Sequence, residues 1–145
     1  MKRVFVDSGG FFALLAAEDR FHDHARSLFS RADAERWRLV TTNAVVIETH
    51  SLVLARSRGG RRSALAFLDI VGDDAYHVER VRKRDDERAI AVLRAHEDKS
   101  YSLCDALSFV VMERLRIMKD TPPWDWTRSS TMTTIRCAES DSRRR

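Results

Sequence analysis

Three acidic residues stand next to apolar stretches of this sequence, and their side chains are of the type that binds metal ions. Asp7 follows an apolar run at residues 4–6, Glu48 follows one at 45–47, and Asp105 follows one at 103–104. A charged group among core residues costs several kcal/mol unless it is paired, neutralised or bound to a metal. If folding brings the three carboxylates together, they are candidate ligands for a divalent cation.

The segment around Asp7 predicts a strand that passes directly into a helix. Residues 4–6 are Val-Phe-Val, a short β-branched and aromatic run, and residues 11–15 are an apolar run that begins a helix. In open α/β sheets, ligands bind at the carboxyl ends of the strands, which is where Asp7 is expected. The alternative is that Asp7, or Ser8 beside it, serves only as the cap of the helix.

Glu48 lies in a predicted helix at residues 44–56. One face of this helix carries Glu48 together with three apolar residues, Val45, Leu52 and Ala55, at spacings of three, four and three. This pattern predicts a carboxylate that faces the core and needs a partner there. The alternative is a glutamate at the edge of the apolar stripe, whose charge reaches solvent or an arginine.

Asp105 falls near the start of the last predicted helix, at residues 102–118. It shares a helix face with Phe109 and Met112, which predicts apolar neighbours for its carboxylate. The alternative is a capping role, because Ser102 and Asp105 have the spacing of a capping box, although Glu or Gln is the usual second residue. The two roles are compatible, since a helix N-terminus is also a good place to hold an anionic ligand.

The elements that must position these acids alternate along the chain. Predicted strands cover residues 4–6, 39–40 and 76–81, and predicted helices cover 11–15, 21–36, 44–56, 63–71, 85–96 and 102–118. Strands that alternate with helices predict an α/β fold with a central, mostly parallel sheet flanked by helices. Residues 120–145 carry no sustained period, and Pro122-Pro123 stops any helix, so we expect an irregular C-terminal tail there.

Length and composition limit the classes of protein to be considered. At 145 residues, the chain predicts one domain with its own core, and a net charge of +4 suits a polyanionic partner. No apolar stretch approaches the roughly 20 residues that span a bilayer. The first strand begins too early to leave room for a signal peptide, and Cys104 and Cys137 lack metal-ligand spacing. These features predict a reduced, cytoplasmic protein.

The three acidic segments together resemble the PIN-domain nucleases, and specifically the VapC-like toxins of bacterial and archaeal toxin–antitoxin pairs. The segments that carry this resemblance are residues 4–8, 41–48 and 102–109. The resemblance extends over residues 1–118, so a PIN-like nuclease domain is expected at residues 1–119 and an atypical tail at 120–145. It implies an endoribonuclease, a hydrolase that depends on Mg²⁺ or Mn²⁺ and acts as the toxin of such a pair.

The resemblance also implies a role for each acid. Asp7, Glu48 and Asp105 match the first three acids of the family. Asp7 and Asp105 are then expected to contact the metal, and Glu48 to bind it or to help deprotonate the attacking water. Ser8 is expected to add a hydroxyl contact, unless it only caps the helix. The family usually carries a fourth acid at the end of a last strand, and Asp125 is the candidate here, although no apolar strand precedes it.

The same resemblance implies three macromolecular partners: an RNA substrate, a small antitoxin that covers the acidic site, and a second copy of the chain in a homodimer.

Two basic clusters are candidates for binding RNA phosphates, and the alternative for each is a solvated loop. They comprise Arg56, Arg58, Arg61 and Arg62, and then Arg80, Arg82, Lys83 and Arg84. Two other functions stay open at this point. The protein could be a catalytically weak PIN module that serves mainly as an antitoxin-binding or autoregulatory partner. It could also be a PIN-like nuclease with a DNA substrate.

Overall fold

The computed structural model describes residues 1–117, which contain three strands and six helices. The elements are β1 (Arg3–Phe5), α1 (Ser8–Leu15), α2 (His22–Ala34), β2 (Arg38–Thr42), α3 (Asn43–Arg56), α4 (Gly60–Val71), β3 (Tyr76–Glu79), α5 (Lys83–Ala95) and α6 (Leu103–Arg114). Every strand and helix predicted within this range is present, with shifted ends. No helix among the described residues is long and apolar enough to cross a membrane.

The three strands form one parallel sheet in the order β1-β2-β3. Arg3 of β1 pairs with Arg38 of β2, and Leu39 of β2 pairs with Tyr76 of β3. Because the strands all run in the same direction, their carboxyl ends lie at one edge of the sheet, and we call this the carboxyl edge. The predicted α/β class, with a parallel sheet flanked by helices, is confirmed.

Aromatic contacts fix α1 against the sheet. Phe11 of α1 is fully buried, and its ring centroid lies 5.0 Å from that of Phe67 of α4 in edge-to-face geometry. The ring of Tyr76 lies 6.0 Å from that of Phe11, and burial raises the pKa of Tyr76 to about 12. These contacts anchor the helix that follows Asp7. A cavity of about 500 Å³, lined in part by Trp37, Leu39 and Tyr76, lies at the opposite edge of the sheet.

Two helices end in the same way, with an arginine whose backbone adopts the left-handed helical conformation. Arg36 after α2 and Arg116 after α6 both have φ of 53°. In each case the backbone N–H of the next residue, Trp37 or Ile117, donates to a carbonyl five residues earlier, which is the Schellman arrangement. Both of these residues are buried. The last helix therefore stops at Arg114, and the prediction that it continues to residue 118 was wrong.

Arg114 joins three elements through two carboxylates. Its guanidinium makes two bonds to Asp85 of α5, from Nε to Oδ1 at 3.1 Å and from Nη2 to Oδ2 at 2.9 Å. Its Nη1 donates to Oε1 of Glu79, the last residue of β3, at 2.7 Å. The Asp85 side chain is only 3% exposed, so its charge depends on this arginine. The network ties α5 and α6 to the carboxyl edge, and the sequence pattern did not reveal it.

Replacing Arg114 by alanine is expected to destabilise the fold by about 3 kcal/mol, because it leaves a buried carboxylate without its partner. A matched control is Arg88→Ala, which breaks another ion pair between α5 and α6, at Arg88–Glu113. Both of those side chains are more than half exposed, so the expected loss is below about 1 kcal/mol. Urea unfolding followed by circular dichroism measures both losses, and equal losses would contradict the importance given to Arg114.

The same network gives the stability a defined pH dependence. Hydrogen bonds from Arg114 and His77 lower the pKa of Glu79 from its usual 4.5. For Asp85, burial alone would raise the pKa, but bonds from Arg114 and from the Arg82 backbone outweigh it and lower the pKa from 3.8. A carboxyl group of this kind stabilises the fold above its unfolded pKa, and the stabilisation is lost as the pH falls through the folded pKa. Arg114→Ala should therefore lose less stability than the wild type on acidification below about pH 4.5, and equal losses would argue against the network.

Candidate active site

Asp7 lies just beyond the carboxyl end of β1, as predicted, and it is also the N-cap of α1. Its Oδ1 accepts a hydrogen bond from the backbone N–H of Gly10 at 2.8 Å, so Asp7 caps this helix. The preceding residue is held from two sides by β2. The Val6 N–H donates to the Val40 carbonyl at 2.8 Å, and the buried Thr41 hydroxyl donates to the Val6 carbonyl at 2.9 Å. The backbone that carries Asp7 is therefore fixed to the central strand.

Glu48 lies in the second turn of α3, the helix that leaves the carboxyl end of β2. The helix begins at an N-cap, Thr42, whose Oγ1 accepts from the Val45 N–H at 3.1 Å. Its buried stripe consists of Val45, Thr49 and Val53, spaced four residues apart. The predicted core face was therefore wrong by one position. Glu48 is half-buried at the margin of the stripe, which is the alternative that the sequence left open.

Asp105 forms a complete capping box with Ser102 at the start of α6. The Ser102 Oγ accepts from the Asp105 N–H at 3.0 Å, and Oδ2 of Asp105 accepts from the Ser102 N–H at 2.9 Å. Asp105 is exposed, so the prediction that it faces apolar neighbours was wrong. The core contacts of this helix come from the continuous buried run at residues 106–112, and Asp105 precedes that run.

The three acids all lie within electrostatic range of one side chain, Cys104. Burial raises the pKa of this thiol, and the neighbouring Glu48 carboxylate and the negative charges of Asp105 and Asp7 raise it further. Three elements that are far apart in sequence therefore bring their carboxylates into electrostatic range of a single thiol. No sequence pattern predicts a chemical role for Cys104, whose only signal is its position directly before Asp105.

The donor set fits a hard divalent cation such as Mg²⁺ or Mn²⁺. All three acids offer carboxylate oxygens, and the raised pKa keeps Cys104 a neutral thiol, which is a poor ligand. A carboxylate has about four lone-pair sites, so the caps that Asp7 and Asp105 make leave capacity for a metal. No three His, Cys, Asp or Glu side chains within residues 1–117 stand close enough to form a ready-made metal site.

The remaining predicted site residues have different positions. Ser8 is the first residue of α1 and is half-buried, directly after the Asp7 cap. Asp125, the candidate fourth acid, lies outside the described residues, as does the tail at 120–145. The first basic cluster is exposed at the turn between α3 and α4, where the Arg58 N–H donates to Oε1 of Glu18 at 2.8 Å.

The second basic cluster lies at the carboxyl edge. It follows β3, and the Val81 N–H within it donates to Oδ1 of Asn43 at 2.8 Å. Asn43 is the first residue of α3, the helix that carries Glu48. Arg80, Arg82, Lys83 and Arg84 are all exposed. Exposed basic side chains therefore lie at the same edge of the sheet as the three acids.

Comparisons with known proteins agree with this architecture. The sequence profile of the family described as PIN domain matches residues 4–119. Over 111 residues, the chain is 33% identical to the 23S rRNA-specific endonuclease VapC20 of Mycobacterium tuberculosis, in two strains, and the match covers 77% of this chain and 81% of that protein. The crystal structure of M. tuberculosis VapC20, titled a sarcin-ricin loop cleaving toxin, aligns with a TM-score of 0.68 and 34% identity. That alignment covers 77% of this chain and 82% of the VapC20 chain.

Proposed function

Because this chain belongs to the PIN domain family, we propose that it is a metal-dependent endoribonuclease that hydrolyses RNA phosphodiester bonds as the toxin of a toxin–antitoxin pair. The observation that carries this proposal is that Asp7, Glu48 and Asp105, from three separate segments, all lie within electrostatic range of Cys104. The carboxyl edge of a sheet is where α/β folds bind ligands, and a divalent cation there would offset the negative charge of these carboxylates.

Each acid has a separate task in this proposal. Asp7 and Asp105 supply the carboxylate oxygens that hold a Mg²⁺ or Mn²⁺ ion. The ion, when bound, lowers the pKa of water and offsets the charge that develops on the phosphate. Glu48 accepts the proton of the attacking water or binds the ion as a third ligand. Water attacks phosphorus, the P–O bond to the leaving ribose oxygen breaks, and that oxygen takes up a proton.

The substrate class follows from the relatives. VapC20 is described as a 23S rRNA-specific endonuclease. Its crystal structure is described as that of a toxin that cleaves the sarcin-ricin loop. We propose that this chain cleaves structured RNA, with 23S rRNA as the first candidate. Such an enzyme acts in the cytoplasm, where ribosomes are found.

A cleavage assay tests the proposal directly. Purified wild-type protein should cut 23S rRNA and a mixed RNA pool in Mg²⁺ or Mn²⁺, and EDTA should stop the reaction. Glu48→Gln should lower kcat by about 10²-fold or more, because it removes the proton acceptor but keeps the shape of the side chain. Since Glu48 is half-buried at a helix margin, its variant should fold normally, and circular dichroism checks this.

Three other outcomes would redirect the assignment. No cleavage by well-folded protein would favour the catalytically weak module that binds an antitoxin. Faster cleavage of single-stranded or hairpin DNA than of the matched RNA would favour a DNA substrate. Cleavage that survives both EDTA and Glu48→Gln would contradict the assigned site.

We also propose that RNA phosphates lie along the second basic cluster, at residues 80–84. Arg80 and Arg84 are exposed beside the carboxyl edge, and the Val81–Asn43 bond fixes their segment to the start of α3. The first cluster begins at Arg56, the last residue of α3. Arg56 lies thirteen residues beyond Asn43, a distance of about 20 Å along the helix. Phosphates bound at 80–84 would therefore place the backbone nearer the acids than phosphates bound at the first cluster.

Double substitutions that remove two arginines from either cluster test which of the two clusters binds RNA. In a Glu48→Gln background, in which cleavage is expected to be about 10²-fold slower or more, the double variant Arg80→Ala/Arg84→Ala should weaken RNA binding at low salt. It should also reduce the slope of log Kd against log salt concentration by about 1 to 2, because two phosphate contacts are lost. The control Arg61→Ala/Arg62→Ala removes the same charge at exposed positions of α4. A larger effect in the control, measured by fluorescence anisotropy, would assign RNA binding to the first cluster instead.

The partners in this proposal are an antitoxin and a second copy of the chain. Ile47 is 67% exposed and Leu103 is 47% exposed, and they adjoin Glu48 and Cys104 in sequence. An antitoxin segment that packs on these apolar side chains would cover the acids. Light scattering of the purified protein tests the homodimer, and a mass of one 16.7 kDa chain would exclude it.

A further inference from the structure

The segment at residues 80–82 begins the second basic cluster, and side chains of α5 and α6 hold its two ends. The Arg80 carbonyl accepts from Nη2 of Arg114, in α6, at 3.4 Å. The Arg82 N–H donates to Oδ2 of Asp85, in the first turn of α5, at 2.9 Å. Since Arg114 and Asp85 are themselves an ion pair, the network that stabilises the fold also fixes both ends of this segment.

The middle of the segment is held by Asn43, the first residue of α3. The Val81 N–H donates to Oδ1 of Asn43 at 2.8 Å, just beyond the last paired residues of β2 and β3, Thr42 and Glu79. The Val81 side chain is half-buried and packs against the smaller apolar cluster between α5 and α6. The bond therefore continues the junction of the two strands past the end of the sheet.

This anchor sets the direction of the neighbouring basic side chains. Arg80 and Arg82 are exposed on either side of the half-buried Val81. Such alternation is that of an extended chain, and the backbone of Arg82 is extended, with φ of −100° and ψ of 160°. Because Val81 is fixed inward, both guanidinium groups leave the carboxyl edge in a defined direction.

The anchor also relates the basic segment to one of the acids. Asn43 and Glu48 lie on the same helix, α3, five residues apart, which is about 7.5 Å along the helix axis. A helix is stiff over so short a distance. A phosphate bound by Arg80 or Arg82 would therefore have a defined position relative to Glu48 as long as the bond between Asn43 and Val81 is present.

We propose that Asn43 is a positioning residue, which acts through the basic segment to hold the RNA backbone at a fixed distance from Glu48. This inference rests on the proposed nuclease function and assigns Asn43 no contact with the RNA or the metal. The amide suits this task, because its oxygen accepts the Val81 bond without adding charge. A carboxylate would accept the same bond but repel phosphates, and an apolar side chain would leave the Val81 N–H unpaired.

Hydrogen exchange tests the bond in the absence of RNA. In Asn43→Ala the Val81 amide, followed by NMR, should exchange about tenfold faster or more than in the wild type, because it loses its acceptor. Asn43→Asp is the matched control, since it keeps an oxygen acceptor of the same shape and Val81 should stay protected. Asn43 is half-buried and alanine favours helices, so both variants should fold, and circular dichroism checks this. Equal exchange in the wild type and Asn43→Ala would overturn the proposal.

A double-mutant cycle tests the connection to RNA. In the Glu48→Gln background, Asn43→Ala should weaken RNA binding by about fivefold. Added to Arg80→Ala/Arg82→Ala, it should weaken binding by less than about twofold, because the side chains that it positions are already removed. Added to Arg61→Ala/Arg62→Ala instead, it should keep its full effect. Additive losses in the first combination would overturn the proposal.

Kinetics and metal binding separate this role from support of the acids. Asn43→Ala should lower kcat/KM for RNA by about fivefold or more and leave the Mn²⁺ affinity unchanged, since it moves the RNA and not the metal ligands. A loss of Mn²⁺ affinity would overturn the proposal. If the wild type binds RNA but cleaves none, the proposed function fails, whereas amide exchange and the cycle still decide the role of Asn43. No RNA binding by the Glu48→Gln protein would overturn both.

Discussion

The candidate site of this protein depends on the parallel sheet, which brings carboxylates from three separate segments of the chain towards one carboxyl edge. Asp7, Glu48 and Asp105 come from three separate segments, yet all three raise the pKa of the same thiol. Because like charges resist such an approach, the backbone beneath them must be held firmly. The Val6 bonds to β2, the Thr42 cap of α3 and the capping box of α6 provide that support. The segments that carry the three acids are thus each held by hydrogen bonds of the fold.

Carboxylates near the carboxyl edge of the sheet have two different kinds of surroundings. Glu79 and Asp85 are neutralised by Arg114, which places an ion-pair network between β3, α5 and α6. The candidate site instead surrounds a neutral thiol with negative charge. This difference separates carboxylates that hold the fold together from those that we propose as metal ligands.

The sequence predicted the elements better than it predicted the environment of each side chain. Short β-branched runs and helix-period segments identified the strands and helices, because local pattern and caps determine them. The prediction of which face of α3 is buried was wrong by one position. Spacings of three and four residues fit two neighbouring stripes of the helix, and only packing decides between them. Arg114 and Cys104 were missed because their partners lie far away in sequence. The end of α6 depended on an arginine with positive φ, which sequence preferences do not anticipate.

The most direct test of the account is a titration of the protein with Mn²⁺, followed by the loss of the electron paramagnetic resonance signal of the aqueous ion. The account predicts saturable binding to the wild type that is lost or strongly weakened in Asp7→Asn. Asparagine is as good an N-cap as aspartate, so this variant should keep α1 and unfold at nearly the same temperature as the wild type. Saturable binding of equal affinity in Asp7→Asn, or no binding to the wild type, would contradict the claim that these acids form a metal site.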